Sequence, residues 1–337
     1  MTASEKTPTK AALVAGFITI YLLWGSTYLG IKIAVETLPP FLMASARFMV
    51  AGVLVTAWIA FTRGFKATRR QWIDNSIIGG FLLLGGNGLV SWAEQKIPSA
   101  VATLVVSLGP LFIVLLDWAV LKFSRDKSHG SRPTLATFVG IALGIAGLAV
   151  LVGPNLGEGK AQLDPWRIGA LVLACFSWSV GSIHTRYAPK PAEPFTAAAI
   201  QMLAGSVWLG IVSIATGEPS HFDFAAISSR SFMAWCYLIV AGSLIGFTTF
   251  VWLMKHSTPA RVSTYAYVNP IVAVFLGWLI AHEAVGTRMF FAAAIIVAGV
   301  AIITASKNKK PAVATATDTI PAVASVPVPA VSEAKNP

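Results

Sequence analysis

Long apolar runs without charged residues constrain this chain more than any other feature. The runs are 11–31, 37–62 (broken only by Arg47), 75–93, 97–116, 133–157, 168–185, 194–217, 231–254, 262–282 and 289–306. Each is close to the roughly 20 residues that a helix needs to cross a bilayer. The alternating polarity of membrane-barrel strands is absent, and helices are the other structure that can span a membrane. The pattern therefore predicts an all-α integral membrane protein with ten transmembrane helices.

The charge balance agrees with a membrane protein. Only 12% of the residues are charged, against about 25% in soluble domains. The net charge of +11 could suggest a nucleic-acid partner, but its distribution follows the predicted topology. With the N-terminus inside, 18 basic residues lie at inner helix ends and six at outer ends. This positive-inside pattern predicts that both termini are cytoplasmic, and it excludes nucleic acid as the reason for the charge.

The second half of the chain repeats features of the first half. Trp24, Lys32, Pro40 and Phe41 recur 154 positions later as Trp178, Arg186, Pro194 and Phe195. Gly86, Trp92, Ala100, Pro110 and Trp118 recur 160 positions later as Gly246, Trp252, Ala260, Pro270 and Trp278. A unit with five spans must be followed by its copy upside down. Two inverted five-helix repeats are typical of secondary transporters, whose substrate site lies at the repeat interface.

The repeat divides the chain into five parts. We expect a cytoplasmic N-terminus at 1–10, a first repeat at 11–152, an external linker at 153–165, a second repeat at 166–306 and a disordered cytoplasmic tail at 307–337. The tail is a mixture of Pro, Ala, Val, Ser and Thr without periodicity. The first span is too long for a signal-peptide core and has a counterpart in the second half, so we interpret it as a helix of the protein.

Several short motifs resemble the EamA branch of the drug/metabolite transporter superfamily. They are Trp24-Gly25-Ser26-Thr27-Tyr28, Pro39-Pro40-Phe41 followed by Arg47-Phe48, Gly109-Pro110, Asn269-Pro270 and His282-Glu283. The loop Ser124–Ser131 departs from the pattern because it has no glutamate matching Glu283. The resemblance covers about 11–306. It implies a ten-helix exporter of amino acids or related metabolites in the bacterial inner membrane.

Two tryptophans near the middle of helices one and six are candidate substrate-binding residues. Trp24 and Trp178 hold equivalent positions in the two repeats, and Tyr28 lies one turn from Trp24. Core packing and a cavity wall are both open interpretations of these indoles. The tryptophans near helix ends, such as Trp118, are explained by anchoring at the membrane interface.

Arg47 is the one ionisable residue well inside an apolar run. A charge at that depth costs at least about 2.5–3.5 kcal/mol on insertion scales, so it should face the bundle interior with a partner. Its counterpart in the second repeat is Gln201. Arg47 can anchor a substrate carboxylate, or it can hold helix-end carbonyls or Glu94 in a structural role.

Two mid-helix prolines predict bends at the centre of the membrane. Pro110 and Pro270 each free the carbonyl four residues earlier, at Val106 and Ala266, and we treat them as hinges. Broken helices of this kind surround the sites of transporters, although a proline can also simply curve a helix. Nearby polar residues complete the candidate set: Asn87, Ser107, Tyr265, Tyr267 and Asn269.

No aspartate or glutamate lies in the middle of a predicted span. This argues against cationic drugs as substrates and against proton coupling through a central carboxylate. The spans also contain no His-Glu-x-x-His, aspartate pair or Ser/His dyad, so an intramembrane enzyme is disfavoured. A receptor or assembly factor would give the repeat no evident purpose. We expect a monomeric transporter in the lipid bilayer that carries a small-molecule solute without cofactor or metal. Amino acids are the leading solutes, and a drug or sugar derivative is the alternative.

Overall fold

The structure, a computed structural model, describes residues 8–123, 134–152, 164–188, 194–257, 259–262, 264–282 and 286–308. Every regular element in these ranges is a helix. The predicted tail beyond 308, most of the predicted linker, the loop at 124–131, Glu283 and the Tyr267 side chain lie outside the described residues.

Within the described ranges, ten long helices follow one another, and we label them α1 to α10. They are α1 (Lys10–Ala34), α2 (Pro40–Thr62), α3 (Arg69–Glu94), α4 (Ser99–Phe123), α5 (Leu135–Val152), α6 (Pro165–Tyr187), α7 (Pro194–Ala215), α8 (Ser229–His256), α9 (Tyr265–Ala281) and α10 (Thr287–Asn308). Single turns at Pro259–Val262, Glu218–His221 and Phe224–Ala226 complete the regular structure of the described residues.

Local sequence explains where several helices begin and end. The Thr9 hydroxyl accepts a hydrogen bond from the first turn of α1, and Asp164 does the same for α6. Thr68 and Gln71 form a reciprocal capping box at the start of α3. After α2 the chain turns at Gly64, whose φ of 76° suits glycine.

Helices α3 and α8 each contain a π-helical stretch, at Gly80–Gly88 and Leu238–Phe247. Adding 160 to the first range gives 240–248, so the two stretches occupy equivalent positions in the sequence repeat. Since π-helix is rare and concentrates at functional sites, the pair marks this level of the bundle as a candidate functional region. Helix α4 is interrupted at Ser107 and Leu108, just before Pro110, whereas α9 continues through Pro270.

The helices pack in corresponding pairs. α2 packs along α7 and α5 along α10, while α1 contacts α8 and α9, and α6 contacts α3 and α4. At the α5–α10 contact, a Cβ on Gly299 would lie 2.7 Å from the Gly140 carbonyl oxygen. Glycine is therefore what allows these two backbones to approach.

The outer surface of the bundle is apolar. Phe61 is 90% exposed and Phe290 63% exposed. Among the described residues, seven helices are long and apolar enough to cross a membrane, and α5, α9 and α10 contain shorter described apolar stretches, at Leu135–Gly147, Val268–Ala281 and Thr287–Gly299. This surface and these helices are those expected of an all-helical membrane protein.

Candidate functional site

A cavity of about 90 Å³ lies at the centre of the bundle, between α1, α2, α3, α4, α6, α8 and α9. Because one water needs roughly 10–15 Å³ of such space, the cavity has room for several waters or a small solute. Its lining is mostly apolar, with a few polar side chains: Thr27, Tyr28, Arg47, Asn87, Cys175 and Tyr265. A largely apolar cavity with few polar groups is the usual form of a small-molecule site.

Aromatic rings from the two halves of the chain meet at one wall of the cavity. The rings of Trp24 and Trp178 are 5.6 Å apart, edge to face. Tyr265 packs edge to face on Trp24 at 5.1 Å, and Phe250 lies 4.9 Å from the same indole. Edge-to-face pairs contribute about 0.5–1.5 kcal/mol beyond their buried area, so this cluster holds the wall in a defined arrangement.

The indoles of Trp24 and Trp178 each lie against a glycine in the π-helical stretch of the other half of the chain. A Cβ on Gly86 would lie 2.8 Å from Cε3 of Trp178, and a Cβ on Gly246 would lie 2.7 Å from Nε1 of Trp24. Such distances are shorter than van der Waals contact. The two indoles therefore take their positions only because both facing residues are glycine.

Arg47 contributes a buried cation to the cavity. Its side chain is 3% exposed, and Nε donates a hydrogen bond of 2.8 Å to the Ser243 hydroxyl. Nη1 is 3.5 Å from Oδ1 of Asn87, and the guanidinium carbon lies 4.7 Å from the Phe48 ring centre. A Cβ at Gly242 would be 2.5 Å from Nη2, so glycine leaves the room that the guanidinium occupies.

The guanidinium has donors that these contacts do not use. It carries five N–H groups in all. Among the described residues, its hydrogen-bond acceptors are Ser243 and Asn87, and no carboxylate forms an ion pair with it. The bonds to Ser243 and Asn87 hold the side chain in place, while the cavity beside it remains available to an anionic group.

Helix α6 supplies hydrogen bonds to the interrupted part of α4. The Cys175 thiol lies 3.4 Å from the Val105 carbonyl oxygen and 3.6 Å from that of Val106. The Ser179 hydroxyl, which lies 2.7 Å from the Cys175 carbonyl oxygen of its own helix, is also 3.1 Å from the Gly109 carbonyl oxygen. Because Pro110 has no N–H, the Val106 carbonyl lacks its helical donor and has the Cys175 thiol as a neighbour, whereas the Val105 carbonyl also accepts the Leu108 amide at 3.1 Å.

The equivalent position in the second half, around Pro270 of α9, is built differently. There the side-chain amide of Asn269, in the orientation that satisfies its neighbours, donates to the carbonyl oxygens of Tyr265 and Tyr21, at 3.1 and 3.2 Å. The proline of α9 is therefore accompanied by an asparagine from its own helix, whereas the interruption in α4 relies on a thiol and a hydroxyl from α6.

The structure brings six of the predicted binding residues together at the cavity. They are Trp24, Tyr28, Arg47, Asn87, Trp178 and Tyr265, joined by the predicted hinge Pro110. Three others are buried elsewhere. Gln201 donates to Asn75 at 2.8 Å, Ser107 bonds to Leu104 within α4, and Asn269 makes the contacts described above. Pro270 is buried outside the lining, and Tyr267 has no described side chain.

Sequence reasoning missed two polar lining residues, Thr27 and Cys175. Each lies three residues from a predicted aromatic residue, Trp24 or Trp178, and one-turn spacing on a helix places both on the same face. This one-turn spacing alone predicts that Thr27 shares a helix face with Trp24, and Cys175 with Trp178.

Known proteins resemble this chain over most of its length. The model of the EamA-like transporter family matches residues 11–153 and again 165–305. The "Uncharacterized inner membrane transporter YedA" of Escherichia coli (strain K12) is 37% identical over 303 residues, which cover 89% of this chain and 93% of that protein. The "Uncharacterized transporter YoaV" of Bacillus subtilis (strain 168) is 23% identical, covering 86% and 95%. A solved crystal structure has the same fold, with a TM-score of 0.61 and 24% identity over 88% of this chain and 98% of the other.

Proposed function

Since the chain belongs to the EamA-like transporter family of membrane transporters, we propose that it exports small metabolites by alternating access, most directly neutral amino acids. The proposed setting is the bacterial inner membrane, in keeping with the name of the YedA relative. The proposal has two parts, the chemistry of the solute and the architecture that moves it.

The buried guanidinium of Arg47 beside the central cavity carries the proposal for the solute. Burying a cation at that depth costs free energy. A guanidinium with unused N–H donors gains strong charge-assisted hydrogen bonds when it binds a carboxylate. The bonds to Ser243 and Asn87 fix its direction in advance, which reduces the entropy lost on binding. A solute with a carboxylate is therefore the chemical class that this site favours.

The aromatic wall suits the other end of a zwitterion. An ammonium group is attracted to the faces of Trp and Tyr rings within about 6 Å. Trp24, Trp178 and Tyr265 all line the cavity with Arg47, and the described residues of the lining include no carboxylate to compete for that ammonium. An uncharged remainder of the solute then meets apolar walls, which supports neutral amino acids.

For the architecture, we propose two inverted five-helix repeats at 11–152 and 166–306, joined by the linker 153–165. The family model matches twice, at nearly these bounds. The contacts of Trp24 with Gly246 and of Trp178 with Gly86 are exchanged copies of each other. Reciprocal contacts of this kind are expected of a pseudo-two-fold axis between the halves.

Contacts at the bundle ends support the inversion. Glu218, just after α7, accepts hydrogen bonds from the Phe41 and Leu42 amides in the first turn of α2, at 3.2 and 2.7 Å. At the opposite end, His184 of α6 lies 3.5 Å from Asp74 of α3. The start of α2 and the end of α7 thus share a face, which we propose is external, with both termini cytoplasmic.

A direct test is solute efflux from vesicles that contain the purified protein. Vesicles loaded with a mixture of labelled amino acids should lose the neutral ones faster than protein-free vesicles, and an external excess of the same solute should accelerate the exchange. Because the described lining has no carboxylate, we expect efflux down the solute gradient without an imposed pH gradient. Transport only of solutes that lack a carboxylate would refute the amino-acid proposal.

A further inference from the structure

The interruption of α4 lies beside the central cavity. The first segment of the helix ends at Val106, and the second begins at Gly109. Val106, Gly109 and Pro110 all line the cavity. Val106 is partly exposed, whereas residues 99–105 and 107–111 are buried. The open face of the interruption is therefore the face that lines the cavity.

The main-chain carbonyl of Val106 has lost its usual donor on this face. In an unbroken helix the carbonyl points along the axis and accepts the N–H of the residue four positions later. That residue is Pro110, which has no N–H and whose ring clashes with the carbonyl. Among the described side chains, the neighbour of the carbonyl oxygen is the Cys175 thiol, a weak donor at 3.6 Å. The oxygen is thus placed to accept a stronger donor from the cavity.

The end of the first α4 segment adds a negative potential at the same point. Ser99–Val106 is a helical segment whose C-terminus lies at the interruption. A helix C-terminus carries a partial charge of roughly −0.5. The ends of broken helices coordinate cations in this way in other transporters. The described lining contains one cation, Arg47, so the α4 interruption supplies a negative counterpart to it.

Helix α9 does not present its proline to the cavity in the same way. The helix continues through Pro270, and this proline lies outside the lining. The carbonyl that it frees belongs to Ala266, which is 5% exposed. Because that carbonyl is directed along the helix toward Pro270, it is directed toward a residue outside the cavity. The two halves of the chain therefore differ, and Val106 is the candidate.

We propose that the Val106 carbonyl, at the interruption of α4, binds the ammonium group of the solute. The inference rests on the proposed function, in which Arg47 binds the carboxylate of the same solute. Trp178 lies one turn after Cys175 on α6, and both line the cavity. An ammonium that donates to Val106 therefore lies beside the aromatic wall as well. The site favours an amine with free N–H groups over a quaternary ammonium.

Competition against labelled phenylalanine, in vesicles that contain the wild-type protein, tests the proposal. One competitor is 3-phenylpropionate, which lacks the ammonium. The other is N,N,N-trimethylphenylalanine, which keeps the positive charge but has no N–H. Since a hydrogen bond to a charged group is lost, each should compete roughly 10- to 150-fold more weakly than unlabelled phenylalanine. Equal competition by the trimethyl compound would mean that the rings alone bind the ammonium, and would overturn the proposal.

Pro110→Ala tests the carbonyl itself, because alanine restores the N–H that bonds to Val106. This variant should bind phenylalanine about tenfold more weakly and 3-phenylpropionate with little change, so that the wild-type preference is lost. Pro270→Ala is the matched control for helix bending, and any effect of it should fall on both solutes alike. Pro110→Ala protein that inserts normally and keeps the wild-type preference would overturn the proposal.

A sodium ion is the other cation that a carbonyl at a helix end can hold. Replacing sodium in the medium by N-methylglucamine should leave phenylalanine binding unchanged, and a sodium requirement would overturn the assignment to the ammonium. Wild-type protein that carries phenylalanine but binds 3-phenylpropionate equally well would overturn this inference alone. Wild-type protein that carries no neutral amino acid would refute the proposed function and this inference together.

Discussion

The fit of Trp24 against Gly246 provides a quantitative test of the central cavity. In Gly246→Ala, the new Cβ would lie 2.7 Å from Nε1 and 2.9 Å from Cδ1 of the indole. Contact between such atoms is normally at about 3.5 Å, so the indole must move by roughly 0.8 Å. Trp178, Phe250 and Tyr265 surround it at ring distances of 4.9–5.6 Å and restrict that movement.

The expected cost follows from overpacking. Forcing an extra methyl into a packed site costs about 1–3 kcal/mol, which is roughly 5- to 150-fold if it falls on solute binding. Gly246→Ala should weaken the apparent solute affinity within that range in a vesicle efflux assay. Gly86→Ala should behave alike, because its Cβ meets Trp178 at 2.8 Å.

Gly169→Ala on α6 is the matched control, since nothing lies within 4 Å of its Cβ. Alanine is favoured over glycine in helices by about 0.8–1.0 kcal/mol, so this variant should be neutral or slightly more stable to heat. If Gly246→Ala transports and melts like Gly169→Ala, the close packing of the indole does not control the cavity.

Two further predictions concern the wall and the topology. Trp24→Ala and Trp178→Ala should each impair efflux while membrane insertion stays intact, whereas Trp118→Ala at a helix end should be mild; equal loss in all three would indicate general packing. Cysteines introduced singly at Thr68 and at Ser220, in a background without the native cysteines, should react with an impermeant thiol reagent from the cytoplasmic side and the external side respectively. Labelling of both from one side would contradict the inverted arrangement.

Much of the helical framework is predictable from the sequence because long charge-free runs have few alternatives in a membrane. The apolar run 75–93 lies within the helix Arg69–Glu94, and the run 37–62 contains the helix Pro40–Thr62. The resemblance to the EamA branch, which rests on short motifs around Trp24 and Pro110, is confirmed by the family match.

The π-helical stretches escape prediction for a physical reason. They lie in runs such as Gly80–Gly88, where nearly every residue is apolar or glycine. A change of helical period is visible in a sequence only when polar residues mark one face. The position of Pro110 does predict a disturbance in α4, but the hydrogen bonds from Cys175 and Ser179 depend on a neighbouring helix.

The candidate site shows the same division. Mid-membrane depth makes Trp24, Trp178 and Arg47 candidates for the site, and all three line the cavity. Depth makes Gln201 a candidate as well, but its side chain bonds to Asn75 of α3. Two polar residues at one depth can face different neighbours, and only the packing of helices decides which.

The most direct test of a role for Arg47 in solute binding is efflux from vesicles that contain either the wild-type protein or Arg47→Gln. The two solutes compared are phenylalanine and phenylalaninamide, which lacks the carboxylate. Loss of a hydrogen bond to a charged group costs about 1.5–3 kcal/mol, or roughly 10- to 150-fold in apparent affinity. We predict that wild type prefers phenylalanine, and that Arg47→Gln loses affinity for it by this factor while transport of the amide, if it occurs, changes little. Arg47→Gln protein that inserts normally and still transports phenylalanine with wild-type affinity would show that Arg47 does not bind the carboxylate of the solute.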